Sequence, residues 1–182
     1  MIATGEMGIG NTTPSSALYS LLLPADLANV TDKGTGLEDE GVRLKIKVIE
    51  KALEINRGLL DDPVSILAAV GGLEIAGICG LCIGAASRRM AVVVDGFISG
   101  AGALVAMRIC PAVKDYLFFS HKSSEKGHMI FCEKENVRPI LDLDLRLGEG
   151  TGAACAMQII EDAVCIYNEM ATFDDVGIEA GA

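Results

Sequence analysis

Ala91-Val92-Val93-Val94-Asp95-Gly96 is the stretch on which the reading of the fold turns. Three β-branched residues in succession, with no polar alternation, predict a strand buried on both faces, as in a parallel sheet covered by helices. The following carboxylate and glycine mark its carboxyl end. Further strands are predicted at Tyr116–Phe119 and Pro139–Leu143. Helices are predicted over Pro14–Leu22, Glu38–Arg57, Val64–Val70, Leu73–Arg88, Gly100–Ile109, Glu125–Asn136 and Thr151–Met170. Strands alternating with helices imply βαβ units and an α/β fold: a Rossmann-like, doubly wound, mainly parallel sheet with flanking helices. Such a sheet binds ligands at the carboxyl ends of its strands. Asp95, Ser120-His121 and Gly148-Glu149 all fall at or just beyond those ends. No repeat, low-complexity linker or internal boundary divides the chain.

Two glycine-rich runs suggest where chemistry occurs. Leu145-Arg146-Leu147-Gly148-Glu149-Gly150-Thr151-Gly152 places one carboxylate between glycines before a helix. Glycine permits positive φ and close approach, so Glu149 can face a substrate as a general base, or it can be a solvated turn residue. Gly5-Glu6-Met7-Gly8-Ile9-Gly10-Asn11-Thr12-Thr13 leads into the first helix, with Thr12 or Thr13 as the expected N-cap and Pro14 in the first turn. Backbone amides there favour an anion, phosphate above all. The spacing matches neither GxxxxGK[ST] nor a full GxGxxG fingerprint.

The helix over Glu38–Arg57 carries an anomaly. Leu44, Ile55, Val48, Leu59, Ala52, Ile49, Val42, Leu53 and Ile46 form one apolar arc opposite Arg43, Lys47, Glu50, Lys51, Glu54 and Arg57, and Lys45 and Asn56 fall in its middle. A lysine there must snorkel outward or meet a negative group. Glu38, Asp39 and Glu40 suit the helix's positive end, and Gly34-Thr35-Gly36 before them is a second candidate anion-facing turn.

Composition excludes several classes. At 51% hydrophobic residues and mean hydropathy +0.41, the 182-residue chain can bury a real core. A net charge of −10 argues against a nucleic-acid partner. Residues 64–86 and 90–109 are long and apolar enough to raise a membrane hairpin, but Glu74 and Asp95 interrupt them, and no membrane partner is expected. Six cysteines in apolar surroundings suggest a reduced cytosolic set. The Cys79-Gly-Leu-Cys82 pair reads as small buried residues rather than a metal or redox site.

Six stretches occur in order along the chain: GEMGIGNTT (Gly5–Thr13), KGTGLEDEG (Lys33–Gly41), VGGLEIAG (Val70–Gly77), VVVDGFIS (Val92–Ser99), SHKSSEKGH (Ser120–His128) and LRLGEGTGAA (Leu145–Ala154). Together they closely resemble the nicotinate-nucleotide–dimethylbenzimidazole phosphoribosyltransferase family. The resemblance covers the C-terminal half of that family's length. It implies that residues 1–182 form a partial domain whose N-terminal half is absent or encoded elsewhere.

The implied reaction transfers phosphoribosyl from nicotinate mononucleotide to 5,6-dimethylbenzimidazole, giving α-ribazole 5′-phosphate and nicotinate for the lower ligand of cobalamin. In that reading Glu149 is the base, Glu6 stabilises the ribosyl cation, and Lys45 pairs with Glu6 or with the substrate. Gly8, Ile9, Gly10, Asn11 and Thr12, with Ser123 or Ser124, hold phosphate. Gly34, Thr35 and Gly36 line the nucleotide site, and Asp95, Gly148 and Gly150 contact substrate. His121 and His128 are expected to pack or cap rather than transfer protons. Asp32-Lys33 stands where many members carry Gly-Arg, leaving Lys33 a monodentate substitute for a phosphate contact. The resemblance further implies a cytoplasmic homodimer with no metal and no cofactor. The alternative is an inactive fragment serving as a phosphate-binding or dimerisation module. Apolar segments 64–86 and 90–109 are expected to exceed what one chain can cover and to be buried between subunits.

Overall fold

A computed structural model describes residues 1–34 and 36–178. Its sheet has three parallel strands in the order β1 (Ile2–Ala3), β2 (Val92–Val94) and β3 (Leu117–Phe119). Ile2 pairs with Val92, and Val92 in turn pairs with Leu117. Between β1 and β2 lie helices α1 (Thr12–Leu22), α2 (Leu27–Val30), α3 (Asp39–Ile55), α4 (Pro63–Val70) and α5 (Leu73–Ser87). Helix α6 (Phe97–Ile109) joins β2 to β3, and α7 (Lys126–Lys134) and α8 (Thr151–Glu169) follow.

The α/β class and the parallel sheet agree with the sequence reading. The described strands run in sequence order, with helices packed on both faces of β2. Strand β1 is additional to the strands that composition predicts. The strand expected at Pro139–Leu143 is reduced to a parallel bridge between His121 and Leu141. Its hydrogen bonds run from the Ile140 amide to Phe119 O and from the Leu141 amide to Ser120 O. They extend the sheet by one short step.

Strand β2 is buried on both faces, and its side chains divide between two layers. Val92 and Val94 belong to the main core with residues of α1, α5, α6 and α7, whereas Val93 packs on Ala153 and Ala156 of α8. This is the period-two alternation of a strand between helical layers. Tyr19 stacks on Phe97 and Phe131 with centroids 5.0 and 5.7 Å away, and its hydroxyl donates to Phe97 O at 2.8 Å. Arg108, at the end of α6, makes a bidentate bond to Glu135 and also donates to Leu22 O, tying the ends of α1, α6 and α7 together.

Of the apolar segments expected to exceed what one chain can cover, 90–109 supplies much of the core, whereas 64–86 is covered only in part, with Val64 and Leu73 57% and 88% exposed. Every residue from Phe97 to Met107 is buried, and α5 contributes Ile75, Ile78, Cys79, Cys82 and Ala85. The two helices can approach because Gly102 has no side chain; a Cβ there would lie 2.7 Å from Ile78 Cγ2. Cys79 and Cys82 are free thiols whose pKa values burial pushes up to about 11 and about 12, leaving both as inert packing residues. No described helix is long and apolar enough to cross a membrane.

Further uncovered apolar surface lies on α3 and α8. The apolar arc of α3 suits a core-facing helix, yet only Lys45 and Ile49 of that helix are buried. Leu44, Val48 and Ile55 are 63%, 52% and 71% exposed. Helix α8 buries only Gly152, Ala153 and Ala156. Amphipathic spacing identifies these faces, but within the described residues nothing sits against them.

Glycines on the two sides of the α5–α6 contact should respond oppositely to alanine. Gly102→Ala gains up to about 1 kcal/mol in helix propensity but overpacks Ile78 by about 1–3 kcal/mol, for net destabilisation. Gly80 has open space around its Cβ position, so Gly80→Ala should stabilise by about 0.5–1 kcal/mol. Urea unfolding midpoints shifting in opposite directions would bear this out, and a shared direction would contradict it.

Candidate active site

A cleft opens at the carboxyl ends of the three strands. Its walls include Glu6 and Gly8 after β1, Asp95 and Gly96 after β2, and His121 and Ser123 after β3. Thr12, Gly34, Glu125, Arg146 and Gly148 complete much of the remainder.

Asp95 is the internal organiser of this cleft. It is buried, and its carboxylate accepts from the amides of Gly150 and Ala153, both at 3.2 Å. The first turn of α8 has unpaired amides that a helix must satisfy, and a carboxylate suits its positive end. The expected substrate contact is therefore committed to holding the loop before α8. His121 Nδ1 lies 3.6 Å from the same carboxylate and 3.1 Å from Ser120 Oγ. Burial lowers the His121 pKa, and Asp95 opposes that shift.

Residues 148–150 take positive φ throughout, at 74°, 57° and 81°. Gly148 and Gly150 tolerate this; Glu149 does not without strain, which is sustained here by its surroundings. The Glu149 amide donates to Glu6 O at 3.0 Å, joining the loop to the chain after β1. A Cβ on Gly5 would lie 2.6 Å from Gly150 N. One on Gly152 would collide with the His121 ring. The Glu149 side chain is exposed and is not among the residues that line the cleft, although its neighbour Gly148 is.

The loop over residues 5–13 differs from the expected amide cradle. Glu6 accepts from the Gly8 amide at 2.6 Å and from Asn11 Nδ2 at 2.8 Å, so the Gly8 amide serves the protein itself. Gly8 and Thr12 reach the cleft wall, whereas Ile9 is largely exposed and Asn11 bonds Glu6 and Glu74. Asn11, rather than Thr12 or Thr13, is the N-cap of α1. The three-residue positive-φ turn and this loop thus meet through Glu6 O, and Gly8 and Gly148 reach the wall of the same cleft.

Lys45 is buried, as expected, but does not pair with Glu6. Its ammonium donates to Thr12 Oγ1 at 3.0 Å and to Asp32 O at 3.2 Å. Glu6 is already engaged within its own loop, and the chain at Asp32 passes close to the start of α1. Burial lowers the Lys45 pKa, opposed by Glu125 and Asp32. Burial raises that of Glu125, with Asp32 adding and Lys45 and the Gly34 amide opposing.

Ser123 is buried at the cleft wall, while Ser124 is exposed and outside it. Gly34 lines the cleft at φ 58°, and Gly36 has φ 120°. Thr35 lies outside the described residues. Glu125 and Arg146 escape the sequence reading as site residues although both sit inside the quoted motifs; charged loop residues carry no spacing signal that separates a cleft wall from solvent.

Comparison with known proteins identifies the class. A family model described as phosphoribosyltransferase matches residues 1–178. The chain belongs to this phosphoribosyltransferase family. It is 60% identical over 178 residues to the nicotinate-nucleotide–dimethylbenzimidazole phosphoribosyltransferase of Chlorobaculum parvum, covering 98% of this chain and 50% of that protein. The enzyme of the same name from Geobacter metallireducens is 55% identical over 181 residues, covering 100% and 51%. A crystal structure of CobT from Thermus thermophilus superposes with a TM-score of 0.91 at 41% identity, covering 99% of this chain and 54% of that one. The chain thus spans about half the length of the curated relatives it matches.

The second histidine gives the site a pH signature. His128 is fully buried, its Nδ1 accepts from the Ser123 amide at 3.3 Å, and its pKa is lowered to about 4 by burial and then by His121. The unfolded chain therefore binds a proton near pH 6.5 that the folded chain refuses. Its contribution is intact above that pH and is lost as pH falls toward 4, a loss of about 3 kcal/mol. The pH dependence of unfolding between those limits should be shallower in His128→Gln than in the parent; equal slopes would remove His128 as the cause.

Proposed function

We propose that this chain supplies the catalytic cleft for transfer of phosphoribosyl from nicotinate mononucleotide to 5,6-dimethylbenzimidazole, yielding α-ribazole 5′-phosphate and nicotinate for the lower ligand of cobalamin. The observation that carries the reading is Glu149, held at positive φ next to the cleft-lining Gly148, with glycines on both sides and the Asp95 clamp on Gly150. The family and the names of its half-matching relatives support it further.

In this reading one azole nitrogen attacks the anomeric carbon while the other N–H gives its proton to the Glu149 carboxylate. The bond from that carbon to the nicotinate nitrogen breaks with its electron pair leaving on nicotinate, and configuration inverts. Glu6 faces the developing positive charge on the ribosyl carbon. Thr12, backed by Lys45, takes the phosphate at the start of α1 together with Ser123, because a hydroxyl, an ammonium and the helix's positive end all favour an anion. Ile9, Gly10, Asn11 and Ser124 have no place in that set, while Gly34 and Gly36 shape the nucleotide side.

Residues 1–182 are then the C-terminal half of the family's α/β domain, and the rest of the domain completes the base pocket. The exposed faces of α3 and α8 support burial of further apolar surface, either against that remainder or between subunits of a homodimer. Six cysteines with no described disulfide support a reducing, cytoplasmic setting.

The test is release of nicotinate from nicotinate mononucleotide on addition of dimethylbenzimidazole. It is run with this chain and with a chimera that carries the N-terminal half of the Chlorobaculum parvum relative ahead of it. In whichever form turns over, Glu149→Gln should lower turnover by about two to four orders of magnitude with nucleotide binding retained. Turnover comparable to the parent would remove Glu149 as the base.

A further inference from the structure

The charges of the cleft wall are unequally satisfied. Glu6 is held by the Gly8 amide and Asn11, and Asp95 by the Gly150 and Ala153 amides, while Glu125 keeps one buried carboxylate oxygen without a partner. Glu6 and Asp95 are thus compensated from within. Among the described residues that line the cleft, Arg146 is the one lysine or arginine, and no described ion pair or hydrogen bond uses it. It is exposed at the mouth, three positions before Glu149 and on the same clamped loop. A cation left uncommitted at the mouth of this cleft, unpaired with any of its acids, is suited to an anion that arrives with the ligand.

The inference rests on the reaction proposed above, whose nucleotide carries two anionic groups. The tetrahedral phosphate fits the start of α1, where Thr12 and the buried Lys45 form one cationic locus. Arg146 is the second. Its planar guanidinium fork matches a planar carboxylate through two parallel hydrogen bonds. We propose that Arg146 binds the carboxylate of the nucleotide's nicotinate base and thereby selects an acidic base over its amide.

Arg146 is then a specificity-determining residue, and its effect must follow the carboxylate rather than the phosphate or the fold. Calorimetric titration of the parent chain and of Arg146→Gln and Arg146→Lys would use nicotinate mononucleotide, nicotinamide mononucleotide and nicotinate riboside. The parent should prefer the nicotinate over the nicotinamide mononucleotide by about 10–100-fold, the worth of a charge-assisted pair. Arg146→Gln should reduce that preference to within about threefold, with Arg146→Lys between the two. The thermal unfolding midpoint should not move, because the side chain is exposed.

A preference retained in Arg146→Gln overturns the proposal. So does a loss that is equal for both mononucleotides and absent for the riboside, since the arginine would then serve the phosphate. If neither this chain nor the chimera with the N-terminal half binds either mononucleotide, the functional reading fails and this proposal falls with it. If the parent binds both equally, the proposal alone fails.

Discussion

A single buried carboxylate holds the site together. Asp95 ends the central strand, and its two oxygens take two amides at the beginning of α8. Hydrogen bonds to an ionised acceptor in a region shielded from water are among the stronger ones a protein makes. Here they also meet the positive end of a 19-residue helix. Remove that clamp and three successive left-handed residues lose the support that keeps Glu149 in a conformation its side chain disfavours. The remaining fixtures work in the same direction. Glu149 donates its amide to Glu6 O, and the chain at Gly5 runs so close to Gly150 that no side chain fits between them.

The central strand is legible in the sequence because three β-branched residues leave few alternatives. Ile2–Ala3 is not, since two residues carry no period and the strand exists only through pairing with β2. Pro139–Leu143 has strand-like composition, but proline cannot donate to a ladder, and the pairing begins only at Ile140 and soon ends. In the site, glycines around Glu149 reveal the strained loop from sequence alone. The fate of Lys45 is half legible: its wheel position leaves snorkelling or an inward partner open, and its partners depend on where residues 31–34 pass, which spacing does not encode. Asp95 stands out at the strand end and lines the cleft, but spacing does not reveal that its carboxylate also caps a helix that begins only at Thr151.

The distribution of apolar surface has a similar lesson. Of the segments greasy enough to suggest membrane or subunit contact, Phe97–Met107 is buried inside the chain, where Gly102 lets α5 and α6 approach, while 64–86 is covered only in part. The more modest amphipathic helices α3 and α8 keep apolar side chains in solvent. Overall hydrophobicity identifies an excess of apolar surface, whereas tertiary packing decides which helices carry it.

Hydrogen exchange on Asp95→Ala compared with the parent tests the role of this clamp most directly. Amide exchange over residues 148–154 should rise by about 10–100-fold, as expected for the loss of charge-assisted bonds, while α1 and α6 keep their protection. Unchanged exchange over that segment, or an equal rise throughout the chain, would contradict a clamp centred on Asp95.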